Sequence, residues 1–284
     1  MRKIDLPDNK TALEELKTAL TYKNGVAKYA LSKKEIVIIN ALYDKYDKLK
    51  GVADEDFKSI NLVSDTNEAI YSAYNEVQEK NRLELLRSRI LLSINRCPFC
   101  GISIADELDH HLPRSIYKAI SVYSSNLIPL CHKCNNKKRT VTGENIEERF
   151  THVYFDDFPE FPLLIADVEF KNKSLSCKFE ITKTGISDLL YKQLDFQTKR
   201  IDLNKRLSRE WNDYLTSFAV SLDIVYGDNN YNAVQDLFLK QSETNKKEFG
   251  INDWRTALTF SLSNCYEFCN GGFKEYYKNL YSLK

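Results

Sequence analysis

Between Cys97 and Arg139 this chain concentrates groups able to bind a metal or move a proton. The stretch reads CPFCGISIADELDHHLPRSIYKAISVYSSNLIPLCHKCNNKKR and holds four of the seven cysteines and three of the four histidines. Cys97 and Cys100 form one C-x2-C pair, and Cys131 and Cys134 form a second. Two-residue spacing lets both thiolates of a pair reach one ion from a tight turn. Two such pairs give a closed tetrahedral four-cysteine site, the usual form of structural zinc. Gly101, just after the first pair, allows the backbone to turn back beneath the metal. Doubled pairs flanking a histidine cluster favour metal binding over disulfide exchange.

Asp109-His110-His111-Leu112-Pro113 and Asn126-Leu127-Ile128-Pro129-Leu130 lie between the pairs, and Asn135 and Asn136 follow the last cysteine. On these residues the segment resembles the HNH endonuclease motif, the ββα-metal nuclease core in its zinc-supported form. The resemblance covers about residues 90 to 145. It implies His110 as the general base and Asp109 as the first ligand of a catalytic metal. It implies Asn126 as the asparagine that ties down the loop and helps orient the base, and Asn135 as a second metal ligand. Asn135 stands where many members have histidine. An amide oxygen is a hard ligand, so the expected catalytic ion is magnesium or manganese.

The chemistry is coherent without the family name. Phosphodiester hydrolysis needs a water made nucleophilic, and a neutral imidazole, with an ordinary pKa of about 6.5, can take that water's proton. One divalent cation can neutralise charge developing on the phosphate and the leaving oxygen. Successive strand residues face opposite ways, so bringing Asp109 and His110 to one site requires a bulge or a strand end there. His111 has the wrong spacing to Pro113 for the base and reads as a packing or substrate-contact residue. His132, between the cysteines of the second pair, reads as exposed or as a phosphate contact. Arg114, Lys133, Lys137, Lys138 and Arg139 make the motif locally basic. Each alone reads equally as a solvated charge, but beside a phosphodiesterase site the cluster is read as nucleic-acid-binding.

The elements that must position these groups follow from periodicity. The expected fold class is mainly α with a small α+β insert. A ββα-metal HNH core is flanked by N- and C-terminal helical regions and a short β-hairpin. The expected divisions are an N-terminal helical region over 1–95, the zinc-knuckle nuclease core over 96–145, a β-hairpin connection over 146–186 and a C-terminal helical region over 187–284. Asp65-Thr66-Asn67 is expected to cap a long helix through NEAIYSAYNEVQEKNRLELLRSRILLSI. Arg82, Arg87 and Arg89 on it read as a solvated face or a nucleic-acid approach. In the core, a strand near Glu107 to Leu112, a strand near Leu127 to Leu130 and a helix from the second knuckle are expected. LIADVEF and LSCKFEI alternate as a hairpin with Asn172-Lys173 near its turn. His152, Asp156 and Asp157 read as a structural connection. The chain after Ser187 reads as helical with a break at Gly227-Asp228-Asn229-Asn230, and the aromatic stripe with Trp254, Leu258 and Phe260 reads as core. Cys265 and Cys269, four apart, read as buried core thiols.

With 284 residues and a formal net charge of +1, the chain can bury a real core but is no indiscriminate nucleic-acid coat protein. No apolar run approaches the ~18 residues needed to span a membrane, and MRKIDLPDNK has no apolar leader core, so a cytoplasmic protein is expected. There is no G-x4-GK[ST] loop, so any ATPase activity would belong to a separately encoded partner. The leading expectation is a metal-dependent DNA endonuclease carrying structural Zn2+ and catalytic Mg2+ or Mn2+. It would be gated as a homodimer or by a partner protein, in the manner of bacterial antiphage or mobile-element systems. RNA is not excluded as substrate, because base and metal act on the phosphodiester. The competing reading is a catalytically inactive zinc module that binds nucleic acid or docks a partner.

Overall fold

The computed structural model describes residues 1–282, which divide into two compact units. One comprises Lys3–Phe99 and Ser103–Asp157. The other runs from Phe158 onward and takes in Met1–Arg2 and Cys100–Ile102.

The first unit opens with helices α1 (Ala12–Ala19) and α2 (Lys33–Lys48). The start of α2 is set by a capping box. The Ser32 hydroxyl accepts the Glu35 amide while the Glu35 carboxylate accepts the Ser32 amide, so two orphan donors are satisfied reciprocally. Its apolar residues Ile39, Leu42, Tyr43 and Tyr46 recur at three- and four-residue spacing and are buried. The expected long helix is instead α3 (Ser64–Ala73), a 3-10 turn over Tyr74–Val77, and α4 (Glu84–Leu91). The break falls in the polar run after Gln78, where Lys80 takes a φ of 64° and the Asn81 side chain donates to the Asn75 carbonyl at 2.8 Å. A side chain that caps nearby carbonyls competes with helix continuation. The expected cap is also displaced. Helix α3 begins at Ser64, and Thr66 lies buried inside it, bonded to Tyr29 and Glu35.

Strands β1 (Glu107–His110) and β2 (Leu127–Leu130) then pair antiparallel, with Glu107 opposite Leu130 and His110 opposite Leu127. Pro129 is tolerated in β2 because a two-stranded sheet leaves each strand one free edge. Helix α5 (His132–Lys138) follows and packs on β1. Leu16, Ile39, Phe57, Ile70, Val77, Ile120 and Leu127 form the buried core beneath, with β1 contributing Leu108.

The second unit carries the hairpin β3 (Leu164–Lys171) and β4 (Ser174–Ile181). Its two-residue turn, Asn172 and Lys173, has φ of 51° and 62°, the left-handed pair a tight hairpin requires. Helices α6 (Asp188–Arg200), α7 (Leu203–Thr216), α8 (Ala219–Tyr226), α9 (Tyr231–Phe249), α10 (Trp254–Ser263) and α11 (Phe273–Ser282) follow. Besides the expected break after Tyr226, the chain turns at Asp202 (φ 52°) and at Ser217–Phe218. Helix α7 buries Leu203, Leu207, Trp211 and Leu215 at four-residue spacing. Trp254 and Leu258 are core residues, but Phe260 is exposed, because a two-residue step turns it to the far side of α10. Cys265 and Cys269 are buried free thiols. Among the described residues the fold is mainly α, with two small antiparallel sheets. Among the described residues no helix is long and apolar enough to cross a membrane.

Candidate metal centre and histidine cluster

The four knuckle cysteines are buried, form no disulfide, and have sulfurs that all lie within 4.8 Å of one another. The first pair sits on a turn closed by the Cys97 amide on the Ser103 carbonyl (2.9 Å) and by a bridge between Arg96 and Ile104. Gly101 has a φ of 66°, and a Cβ there would fall 2.6 Å from Asp253 Oδ2, so glycine is required twice over. The Ile102 amide points at Cys100 Sγ at 3.4 Å. In the second pair, Cys131 is the N-cap of α5 and Cys134 lies on its first turn. A zinc ion with bonds of about 2.3 Å holds its sulfurs ~3.8 Å apart in a tetrahedron. The cluster fits such an ion in donor type, closure and span.

Asp109 and His110 occupy the end of β1, so the strand end that alternation demanded is present. His110 is buried against the Tyr74 ring, with centroids 4.3 Å apart. Its Nε2 lies 2.9 Å from the Ser121 carbonyl. A carbonyl can only accept, so Nε2 carries the proton and Nδ1 the lone pair. Burial drives the His110 pKa down to about 3, against the opposing Ser121 bond and helped by the nearby charges of Arg114 and Lys138. The imidazole is therefore neutral at physiological pH.

The loop that carries Ser121 is pinned by Asn126. Its Oδ1 accepts the Leu112 amide (2.8 Å), and its Nδ2 donates to the Leu112 and Ile120 carbonyls (3.1 and 3.3 Å). Its backbone carbonyl accepts the His111 amide at 2.8 Å. The Tyr46 hydroxyl on α2 also donates to Asn126 Oδ1 (2.9 Å) and lies 3.1 Å from His152 Nε2. His152 Nδ1 accepts the Tyr154 amide, which leaves Nε2 as the protonated nitrogen facing Tyr46.

His111 has a different environment from its neighbour. It is buried, and its ring stands 4.1 Å from that of His152. Burial, then the adjacent His152, pushes its pKa well down. His152 is likewise a buried residue of the connection, where the Asp156 carboxylate accepts its amide and pairs with Arg149. Asp157 pairs with Lys3 at the surface.

Helix α5 lies along β1 so that residues three apart on the helix meet residues two apart on the strand. Asn135 Nδ2 donates to Glu107 Oε2 (2.8 Å), and Lys138 Nζ lies 3.0 Å from Asp109 Oδ2. The Lys138 ammonium also donates to the His110 carbonyl at 2.6 Å and is almost wholly buried. This lysine, expected in the basic surface cluster, is thus turned inward. Asn135 is bonded to Glu107, which the sequence reading passed over although it shares the strand face of Asp109. With its amide protons engaged there, the oxygen is the end of Asn135 suited to a cation. His132 is exposed, Nδ1 against Glu107 Oε1 (2.6 Å) and Nε2 facing Asn136 Nδ2 (2.7 Å).

Of the other basic residues, Lys133, Lys137 and Arg139 are exposed on α5 and its C-terminus. Arg114 lies over the rings of Tyr71 and Tyr74, 4.6 and 4.7 Å from their centroids. Arg82, Arg87 and Arg89 are held within the first unit. Arg82 donates to the Thr21 and Tyr22 carbonyls, Arg87 to that of Asp106, and Arg89 pairs with Glu15.

No family model matches the chain, and no solved structure matches it. A stretch of 100 residues is 32% identical to Protein ea31 of Escherichia phage lambda, covering 34% of this chain and 33% of that protein. The chain thus matches about a third of that curated relative's length.

Proposed function

We propose that this chain is a metal-dependent endonuclease of HNH type that hydrolyses DNA phosphodiester bonds, with His110 as general base and the four cysteines holding structural zinc. The observation that carries the reading is the tautomer of His110, whose Nε2–H is committed to the Ser121 carbonyl. Only Nδ1 is left to accept a proton. The antiparallel β1–β2 pair followed by α5 supports a ββα arrangement for residues 107–138.

In this reading Nδ1 of His110 takes the proton of an attacking water as its oxygen bonds to phosphorus and the ester oxygen departs. The Ser121 carbonyl and the Asn126 lock hold the imidazole in place during the transfer. Asp109 and Asn135 offer oxygen donors of the type magnesium and manganese prefer. A bound divalent ion would supply charge neutralisation at the phosphate and the leaving oxygen. Lys133, Lys137 and Arg139 are placed to meet phosphates, and Arg114 is held ready by its two aromatic rings. A near-neutral chain has little nonspecific affinity for nucleic acid. Activity is therefore proposed to depend on a second copy or on a partner protein, such as a separately encoded ATPase. The partial likeness to a phage protein is in keeping with a mobile-element setting.

Two observations favour a second reading, a zinc module that binds without cleaving. His110 is only 5% exposed, and the Lys138 ammonium already neutralises Asp109. Cleavage of plasmid DNA and of a matched RNA, with magnesium or manganese and with EDTA, separates the two. The nuclease reading expects metal-dependent cuts that EDTA stops while zinc stays bound. Binding without cleavage at any protein concentration supports the module.

A further inference from the structure

Four thiolates around one divalent zinc leave a net charge of two minus, and a buried charge of that kind needs compensation. The Ile102 amide supplies a hydrogen-bond donor to Cys100 but no full charge. A full charge is present beside the same sulfur. Nη2 of Arg206, in the first turns of α7, lies 3.2 Å from Cys100 Sγ. The helix that carries it is seated by Leu203, Leu207, Trp211 and Leu215, so the guanidinium is delivered from a fixed frame. The adjoining turn is held by a second arginine. Both terminal nitrogens of Arg255 reach the Gly101 carbonyl at 3.2 Å, and Asp253 pairs with Arg255 at 3.0 Å.

We propose that Arg206 completes the four-cysteine metal centre, donating a charged hydrogen bond to the Cys100 sulfur and offsetting part of the tetrathiolate charge. Arginine suits the task because its charge is permanent and its planar fork loses little freedom on binding. Groups that hydrogen-bond to metal ligands affect metal retention nearly as the ligands do. A sulfur that accepts such a bond is also a poorer nucleophile. Arg206 acts here as a positioning and charge-compensating residue that lies well outside the knuckle motif in sequence.

The inference rests on the four cysteines holding a metal, and not on cleavage, so its test reads metal and thiol chemistry only. The full-length protein and its Arg206→Met and Arg206→Lys variants are loaded with zinc, and release to a competing chelator is timed. Loss of such a partner typically changes metal retention by about 10- to 100-fold. Arg206→Met is therefore expected to release zinc at least about ten-fold faster, with Arg206→Lys in between. Cobalt substitution is expected to give a shifted thiolate-to-metal absorption band in Arg206→Met. Alkylation of Cys100 during zinc withdrawal is expected to be faster in Arg206→Lys than in the unaltered protein, a readout that does not depend on Arg206→Met folding. Equal release rates in folded Arg206→Met and the unaltered protein would overturn the assignment, as would Cys100 alkylation no faster in Arg206→Lys than in the unaltered protein. A folded, unaltered protein that holds no zinc would instead remove the metal centre itself.

Discussion

Two adjacent histidines illustrate how much of the argument is decided residue by residue. His110 ends a strand with one nitrogen committed to a carbonyl, whereas His111 is enclosed with His152. Their identical side chains differ in what surrounds them, and only His110 combines a fixed tautomer with a place beside Asp109. The residue that ties these environments together is Tyr46, which donates to Asn126 and accepts from His152. Tyr46→Phe should remove one bond from Asn126 and one from the buried His152 N–H, which the Ser125 carbonyl also accepts. Each such bond contributes about 0.5–1.5 kcal/mol net. Urea unfolding should show that loss as a lower midpoint with an unchanged slope. An unaltered midpoint would mean that the hydroxyl network contributes nothing to the loop. The lysine nearest the site follows the same logic. Lys138 is buried because the His110 carbonyl accepts a hydrogen bond from its ammonium and the Asp109 carboxylate pairs with its charge.

At the scale of elements, local signals were legible where they were periodic or spaced. The doubled C-x2-C pairs, the alternation in β1, β3 and β4, and the Asn172-Lys173 turn could all be read from neighbouring residues. The break between α3 and α4 could not, because its polar run contains no glycine or proline and Lys80 itself takes the left-handed conformation. The ties of Tyr46 to Asn126 and His152 span 80 and 106 positions and have no local pattern. Lys138 looked like one more surface charge until α5 was laid on β1. One element-level prediction concerns the cap of α2. Hydrogen bonds from the Ser32 side chain first, then from Thr66 and the Ser32 amide, hold the Glu35 pKa down at about 2 rather than the ordinary 4.5. A depressed carboxylate pKa stabilises the fold above the ordinary value and stops doing so as pH falls through the folded value. The melting temperature of Glu35→Gln should therefore trail the unaltered protein above pH 5 and converge with it towards pH 2. A gap independent of pH would assign the effect to shape rather than charge.

For the whole molecule, the buried four-cysteine cluster, which fits a zinc ion, is the feature on which the fold is proposed to depend. Structural zinc sites of this kind contribute on the order of 10 kcal/mol in small modules. One zinc per chain is expected by elemental analysis. Cys131→Ser should lose that zinc and with it the register of α5 on β1, seen as faster hydrogen exchange in residues 107–138. A zinc-free protein with unchanged exchange there would contradict this dependence.

The central claim is that His110 removes a proton from water in phosphodiester hydrolysis. It is tested most directly by measuring metal-dependent DNA cleavage by the unaltered protein beside His110→Ala, with zinc content and fold checked in both. Loss of a general base costs about 100-fold or more. The account predicts a drop of at least that size in His110→Ala, with zinc, fold and nucleic-acid affinity retained. A folded, zinc-loaded His110→Ala that cuts as fast as the unaltered protein would contradict it.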